Sequence, residues 1–270
     1  MRGDFSMERV IRIFSLYRDF FEFLANIIPE SEKWQAYFRF YYLPHKDFLD
    51  FYFSRFPLLD FHSLKSRVED IKAADYSLLK GLIANCPPEP IIQKAYKRVK
   101  ELIPPPQEPE VYLLIGFFSP DGFVMDLSGN PVICFGLERF KHFRLLRILF
   151  AHEYAHFLLR SRGKSVFGKN DFEREMISEG LATYLSFLAF PEYGLADHFF
   201  YSWDTLNWCQ ANESYLRKLY ASGHYKDFPP RTGKYLGFLT VKKHIKNKGG
   251  NSLLDLFSNP ELVFSLDSKK

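Results

Sequence analysis

The sequence predicts an α+β protein that is mostly helical, and three observations carry that expectation. Up to Pro104-Pro105-Pro106 the apolar residues repeat only at helical spacing. Three short β-rich runs follow the prolines, and from about residue 137 the helical spacing returns. A run of prolines is a natural boundary, so the chain reads as an N-terminal helical region, 1–105, and a second region, 106–270, that carries the strands.

Residues 5–61 are dense in aromatic side chains, among them Phe20, Phe21, Phe23, Trp34, Tyr37, Phe38, Tyr41 and Tyr42. At helical spacing such rings are core packing far more often than a lipid-facing surface. Leu64, Val68, Ile71, Leu78, Leu79, Leu82 and Ile83 continue the helical pattern, and Ile91, Ile92, Ala95, Tyr96, Val99, Leu102 and Ile103 give a clear amphipathic helix. Before the prolines the chain reads as helices only.

Beyond them, Val111–Ile115, Gly122–Asp126 and Val132–Phe135 are strand-like runs separated by the turn signals Asp121-Gly122 and Ser128-Gly129-Asn130-Pro131. Three short strands predict a small antiparallel sheet, whose edge at Gly122–Met125 or Val132–Phe135 is either covered by a loop or open to an extended peptide. A helix then runs through Leu145, Leu146, Ile148, Leu149, Ala151, Ala155, Leu158 and Leu159, free of Gly and Pro, to a cationic last turn at Arg160 and Arg162 and a stop at Gly163. The next helix starts at Asn170 as N-cap, with Glu173 placed to complete a capping box, and ends before Pro191. Its apolar stripe is Met176, Glu179, Gly180, Thr183 and Phe187, while Glu173 and Glu175 lie off the stripe and read as solvated. Gly180 in a helix interior costs about 1 kcal/mol relative to Ala, which makes sense where another backbone must come close. A last helical run, Phe238–Lys248, follows Pro229-Pro230.

Chemistry enters at His152-Glu153-Tyr154-Ala155-His156. Residues four apart on a helix share a face, so His152 and His156 can converge on one ion at about 2.0 to 2.1 Å from each nitrogen. Glu153 is turned about 100° away and sits beside such an ion rather than on it, where a carboxylate can take a proton from an attacking water. In so apolar a helix, two imidazoles and a carboxylate are expensive to bury unless something binds them. A hydrolytic zinc keeps three protein ligands and one open position. Glu179, inward-facing on the next helix, is the candidate third ligand; the rival reading is a salt bridge to Arg144, Arg147 or Arg160. Thr183, one turn on, is placed to support a ligating His.

With these residues in place, the chain resembles the gluzincin metallopeptidases, in which H-E-x-x-H is followed on a second helix by a ligating Glu, here within Ser178-Glu179-Gly180-Leu181-Ala182. Arg231-Thr232-Gly233-Lys234-Tyr235-Leu236-Gly237 is similar to the closing segment of the YjaZ-like predicted zinc-dependent proteases, and the likeness covers roughly the last 165 residues. It implies a zincin-like catalytic domain with the small sheet over the motif helix, a Zn2+ held by His152, His156 and Glu179, and Glu153 as general base. Tyr235, held between two glycines, is the candidate donor to the oxyanion that carbonyl hydrolysis builds, with His224 as a further donor and Arg231 as a candidate clamp for a carboxylate. The substrate expected is a peptide or protein.

Composition excludes several other classes. With 36 basic and 32 acidic residues the net charge is +4 and spread along the chain, so no nucleic-acid partner is expected. Cys86, Cys134 and Cys209 are odd in number and lack a C-x-x-C, which excludes a disulfide framework and makes buried thiols the expectation. Charged residues such as Arg12, Arg18, Asp19 and Glu22 interrupt the N-terminal apolar residues, so neither a signal peptide nor a transmembrane segment is expected and a cytoplasmic location is the default. Two alternatives stay open at this level: a metal-stabilised or zinc-sensing protein without hydrolytic activity, and a helical interaction module built on the aromatic N-terminal region. Oligomeric state has no signature here.

Overall fold

A computed structural model describes residues 11–26, 32–55, 61–117, 120–164, 168–248 and 252–269. Parts of the aromatic-rich stretch, at 5–10, 27–31 and 56–60, lie outside the described residues. The chain divides into two compact units, one of Met1–Pro90 and Glu108–Phe143, the other of Ile91–Gln107 and Arg144–Lys270. The division thus runs differently from a single cut at the prolines.

The first unit holds strand β1 (Arg12–Ser15) and helices α1 (Tyr17–Ala25), α2 (Lys33–Tyr37), α3 (Lys46–Ser54), α4 (Phe61–Asp70) and α5 (Ser77–Asn85). Helix α6 (Pro88–Leu102) begins there and passes into the second unit. Strands β2 (Glu110–Leu114), β3 (Gly122–Leu127) and β4 (Asn130–Gly136) complete a four-stranded sheet in the order β1-β2-β4-β3. Two sequence-level expectations are corrected here. The region before the prolines is not helices only, because Arg12–Ser15 is a strand, too short to show a period of two and paired with a segment nearly a hundred positions away. The sheet is also mixed rather than antiparallel: Ile13 pairs in parallel with Val111, Val111 pairs in parallel with Ile133, and only β3 runs against β4.

The β3–β4 hairpin is closed by Ser128 and Gly129, both at positive φ (50° and 84°), as a two-residue turn matched to strand twist requires. Because β4 is paired on both sides, Val132–Phe135 is no edge, and of the two runs expected to be open only β3 is one. Among the described residues of the aromatic stretch, Phe20, Phe23, Tyr37, Tyr41 and Tyr42 are buried and Phe21, Trp34 and Phe38 are half-buried. Phe20 is fully buried against the rings of Phe23, Tyr41, Tyr76 and Phe117. The buried Tyr41 hydroxyl donates to the Ile115 carbonyl at 2.9 Å and accepts from its N–H at 3.1 Å, while Tyr52 donates to the Gly116 carbonyl at 3.0 Å. Three aromatic hydrogen bonds therefore hold the backbone just past β2, where the ladder stops supplying partners.

The second unit adds α7 (Leu146–Ser161), α8 (Asp171–Ala189), α9 (Leu195–Phe199), α10 (Trp203–Ala211), α11 (Glu213–Ala221), α12 (Thr232–Lys248) and α13 (Ser252–Ser258). α7 carries the histidine motif and is buried nearly all round: from Leu146 to Leu159 only Arg147 and His156 are not buried. Behind it, Tyr96 of α6 sets its ring edge against Phe150 and Tyr154, and the Tyr154 hydroxyl donates to the Ile103 carbonyl at 2.8 Å. The helix ends as the sequence predicts: Gly163 at φ 66° lets its N–H reach the Arg160 carbonyl at 2.9 Å and the Lys164 N–H reach that of Leu159 at 2.8 Å.

α8 starts at Asn170, whose side chain accepts from the Glu173 N–H at 2.9 Å; Glu173 in turn accepts from the Lys169 N–H at 2.8 Å and the Tyr220 hydroxyl at 3.1 Å. Glu173 is buried by these bonds rather than solvated, and Glu175 is exposed as expected. Gly180 meets the close approach its sequence position implies. A Cβ there would lie 2.4 Å from the carbonyl carbon of Gly237 on α12, and a Cβ on Gly237 would lie 1.9 Å from the Met176 carbonyl oxygen. α8 and α12 thus cross backbone on backbone. Of the cysteines, Cys134 and Cys209 are buried thiols and Cys86 is exposed instead. Among the described residues no helix is long and apolar enough to cross a membrane.

Candidate metal centre

Two consecutive helices build the site. α7 presents His152 and His156 from one face, one turn apart, with their Nε2 atoms 3.3 Å apart and their rings nearly perpendicular. α8 brings Glu179 across to them: its Oε1 lies 3.1 Å from His156 Nε2 and its Oε2 lies 3.4 Å from His152 Nε2. Among the described residues this is the one cluster of three or more His, Cys, Asp or Glu side chains placed to hold a metal ion. A tetrahedral ion with bonds of about 2.0 to 2.1 Å separates neighbouring ligand atoms by about 3.3 Å. The two Nε2 atoms stand at that spacing, 3.3 Å; the two contacts with Glu179 end on different carboxylate oxygens, and with one ligand atom taken from each residue the three lie within 4.8 Å of one another.

The electrostatics suit a cation. Burial drives the His152 pKa down to about 3, so this imidazole is neutral and its ring nitrogen can act as a lone-pair donor. Burial also pushes the Glu179 carboxyl up, but the charge of Lys234 and hydrogen bonds from His152 and His156 outweigh it and hold the group ionised, well below the usual carboxylate range. His156 is pushed down by burial and, more strongly, up by Glu179 and Glu153. Two imidazoles, of which His152 is held neutral and His156 is drawn toward its protonated form by the acidic neighbours while no cation is bound, meet an anionic carboxylate here, with the side chains of His152, His156 and Glu179 6%, 19% and 28% exposed. The donor set fits zinc.

Glu153 is buried within electrostatic reach of His156, Glu179 and Lys234, and burial raises its pKa to about 7. A carboxyl that takes up and gives back a proton near neutrality is the poise a general base needs. His156 is oriented by Ser178, whose Oγ lies 3.0 Å from its Nδ1. Thr183, expected to support a ligating histidine, does not: its buried hydroxyl makes no hydrogen bond, and neither does His152 Nδ1.

Tyr235 does not join the cluster. Its ring is buried against Phe199, and the groups that act on its phenol are Glu213, Cys209 and Arg217, none of them at the site. The neighbouring Lys234 does. Its Nζ lies 3.2 Å from Glu179 Oε2, with the side chain 12% exposed, so the ion pair weighed for Glu179 is made by a lysine of α12 rather than by Arg144, Arg147 or Arg160. A step of one residue along the helix explains both facts, because adjacent residues point about 100° apart. Arg231 is exposed and His224 is exposed with Nδ1 2.6 Å from Ser222 Oγ, so neither faces the ligands.

Phe200 is a further member that the sequence did not single out. It follows α9 in a left-handed conformation (φ 54°, ψ 38°), uncommon for a bulky residue. Its ring stands edge-to-face on His152 at 5.8 Å and lies under the Lys234 ammonium at 5.2 Å. No family model, no curated protein and no solved structure matches the chain.

Proposed function

We propose that the chain is a zinc-dependent hydrolase of peptide bonds, of the gluzincin type that its sequence resembles. The observation that carries the reading is the convergence of His152, His156 and Glu179, whose ligand atoms, one from each residue, lie within 4.8 Å of one another. Those three side chains would hold the metal, which when bound polarises a carbonyl and makes a nearby water acidic enough to attack it. Glu153 accepts the proton that the attacking water gives up and passes it to the departing amine, so the carboxylate ends the cycle as it began. Ser178 fixes the His156 ring so that Nε2, not Nδ1, faces the cluster.

Metal analysis and hydrolysis of a quenched-fluorescent peptide library test the reading together. The unaltered chain is expected to carry near one zinc, Glu153→Gln to keep the zinc while losing hydrolysis by about 100-fold or more, and His156→Ala to lose both. Equal zinc in His156→Ala and the unaltered chain would remove the site. Zinc without hydrolysis in either chain would leave a metal-stabilised protein in place of an enzyme.

A further inference from the structure

The His152, His156 and Glu179 cluster has a charged neighbour whose sign is wrong for a ligand. Lys234 Nζ sits 3.2 Å from Glu179 Oε2, the same oxygen that faces His152, and its side chain is 12% exposed. The ammonium is held there from two sides: the Gly180–Gly237 crossing brings α12 against α8, and the Phe200 ring lies beneath the nitrogen at 5.2 Å. Phe200 reaches that place only through a left-handed backbone, and the same ring braces His152. Strain of this kind persists where the surroundings over-determine it.

We propose that Lys234 is a built-in counter-cation of this site, neutralising Glu179 while the metal is absent and limiting how tightly metal is then held. The inference rests on the metal-binding part of the reading above and on none of the hydrolytic part. Without metal, an ionised carboxylate against two imidazoles in a largely dry site needs a positive partner. Once a divalent ion binds Glu179, two positive groups share one carboxylate and repel in a medium where charges are weakly screened. An opposite effect also exists, since losing a partner that orients a ligand weakens metal binding by about 10- to 100-fold. Here that effect is small, because the two carboxylate oxygens already face separate imidazoles at 3.1 and 3.4 Å and do not depend on Lys234 for their orientation.

The test is zinc affinity at one neutral pH, measured on the full chain by competition with a chromophoric chelator, alongside melting of the metal-free and zinc-loaded forms. Lys234→Met is expected to bind zinc about tenfold tighter or more, to melt lower than the unaltered chain without metal, and to recover when zinc is added. Lys234→Arg, which keeps the charge, is expected to stay near the unaltered affinity. Should Lys234→Met fold only with zinc present, the proposal is supported. Equal or weaker zinc binding by Lys234→Met overturns it, as does failure of both Lys234→Met and Lys234→Gln to fold in excess zinc, since a bound ion replaces a counter-cation. No zinc binding by the unaltered chain takes down the metal reading itself and this proposal with it, a result distinct from unchanged affinity.

Discussion

The same substitution, Gly to Ala inside a helix, should have opposite effects at two places in this chain. In α12, a Cβ on Gly237 would stand 1.9 Å from the Met176 carbonyl oxygen and 2.8 Å from its carbon. A carbon–oxygen contact needs about 3.3 Å, so the overlap is about 1.4 Å. Both sides are helix backbone, and neither can swing away as a side chain can. Overpacking of this kind costs about 1 to 3 kcal/mol and more when backbone must move, whereas Ala gains about 1 kcal/mol over Gly in helix propensity. The net expectation for Gly237→Ala is a loss of about 2 kcal/mol or more. In α5, a Cβ on Gly81 meets nothing within 4 Å, so Gly81→Ala keeps the propensity gain alone, about 0.5 to 1 kcal/mol. Urea unfolding of the three proteins in the presence of a chelator, which removes any contribution from bound metal, separates the two cases by about 3 kcal/mol. A Gly237→Ala protein as stable as its parent, or a Gly81→Ala protein destabilised to the same degree, would refute the claim that backbone contact between α8 and α12 sets the residue at 237.

Tyr235→Phe is expected to leave zinc content and any hydrolysis within about twofold of the parent, because the phenol faces Glu213 and not the ligands; a 100-fold loss of hydrolysis with zinc retained would return Tyr235 to the site. Glu89 tests acid stability in the first unit. Burial pushes its carboxyl up, but hydrogen bonds from Ser15, Tyr17 and Arg18 outweigh that and leave its pKa lowered from 4.5. The unfolded chain therefore binds the proton first, so the stability contributed by the ionised form is complete above about pH 4.5 and disappears as the pH falls through the folded value. Glu89→Gln should lie about 1 to 3 kcal/mol below the parent at pH 7 and converge on it as the pH falls through the folded value. A gap that stays constant across that range would mean that the charge of Glu89 is not what those bonds recognise.

The parts of the site that the sequence makes legible are those set by helical repeat alone. The i, i+4 spacing places His152 beside His156, the Asn170 cap fixes the phase of α8, and the phase turns Glu179 and Gly180 inward. Lys234 escapes this reasoning because its partner belongs to an element far away in sequence. A signal was nonetheless present: Lys234 lies in the first turn of α12, where the helix dipole disfavours a cation, so an anionic partner nearby was called for. Ser178 adjoins Glu179 and had no periodic reason to stand out. The left-handed Phe200 has no local signal at all, since the residue type predicts the opposite conformation. In the first unit, the hairpin turn was readable from Ser128-Gly129, but β1 was not. A four-residue parallel strand draws its stability from a distant ladder and leaves little trace in its own composition.

The hydroxyl of Tyr154 gripping the carbonyl of Ile103 has a practical corollary for anyone shortening this chain. Ile92, Ala95, Tyr96, Val99 and Ile103 are all buried, and they precede the prolines although they belong to the unit of the histidine-bearing helix. A product trimmed to begin at residue 106 would strip the rear wall from that helix and bare its Phe150 and Tyr154 to water. Trimming that keeps the His152–His156–Glu179 cluster on an intact helix has to begin upstream of Ile91.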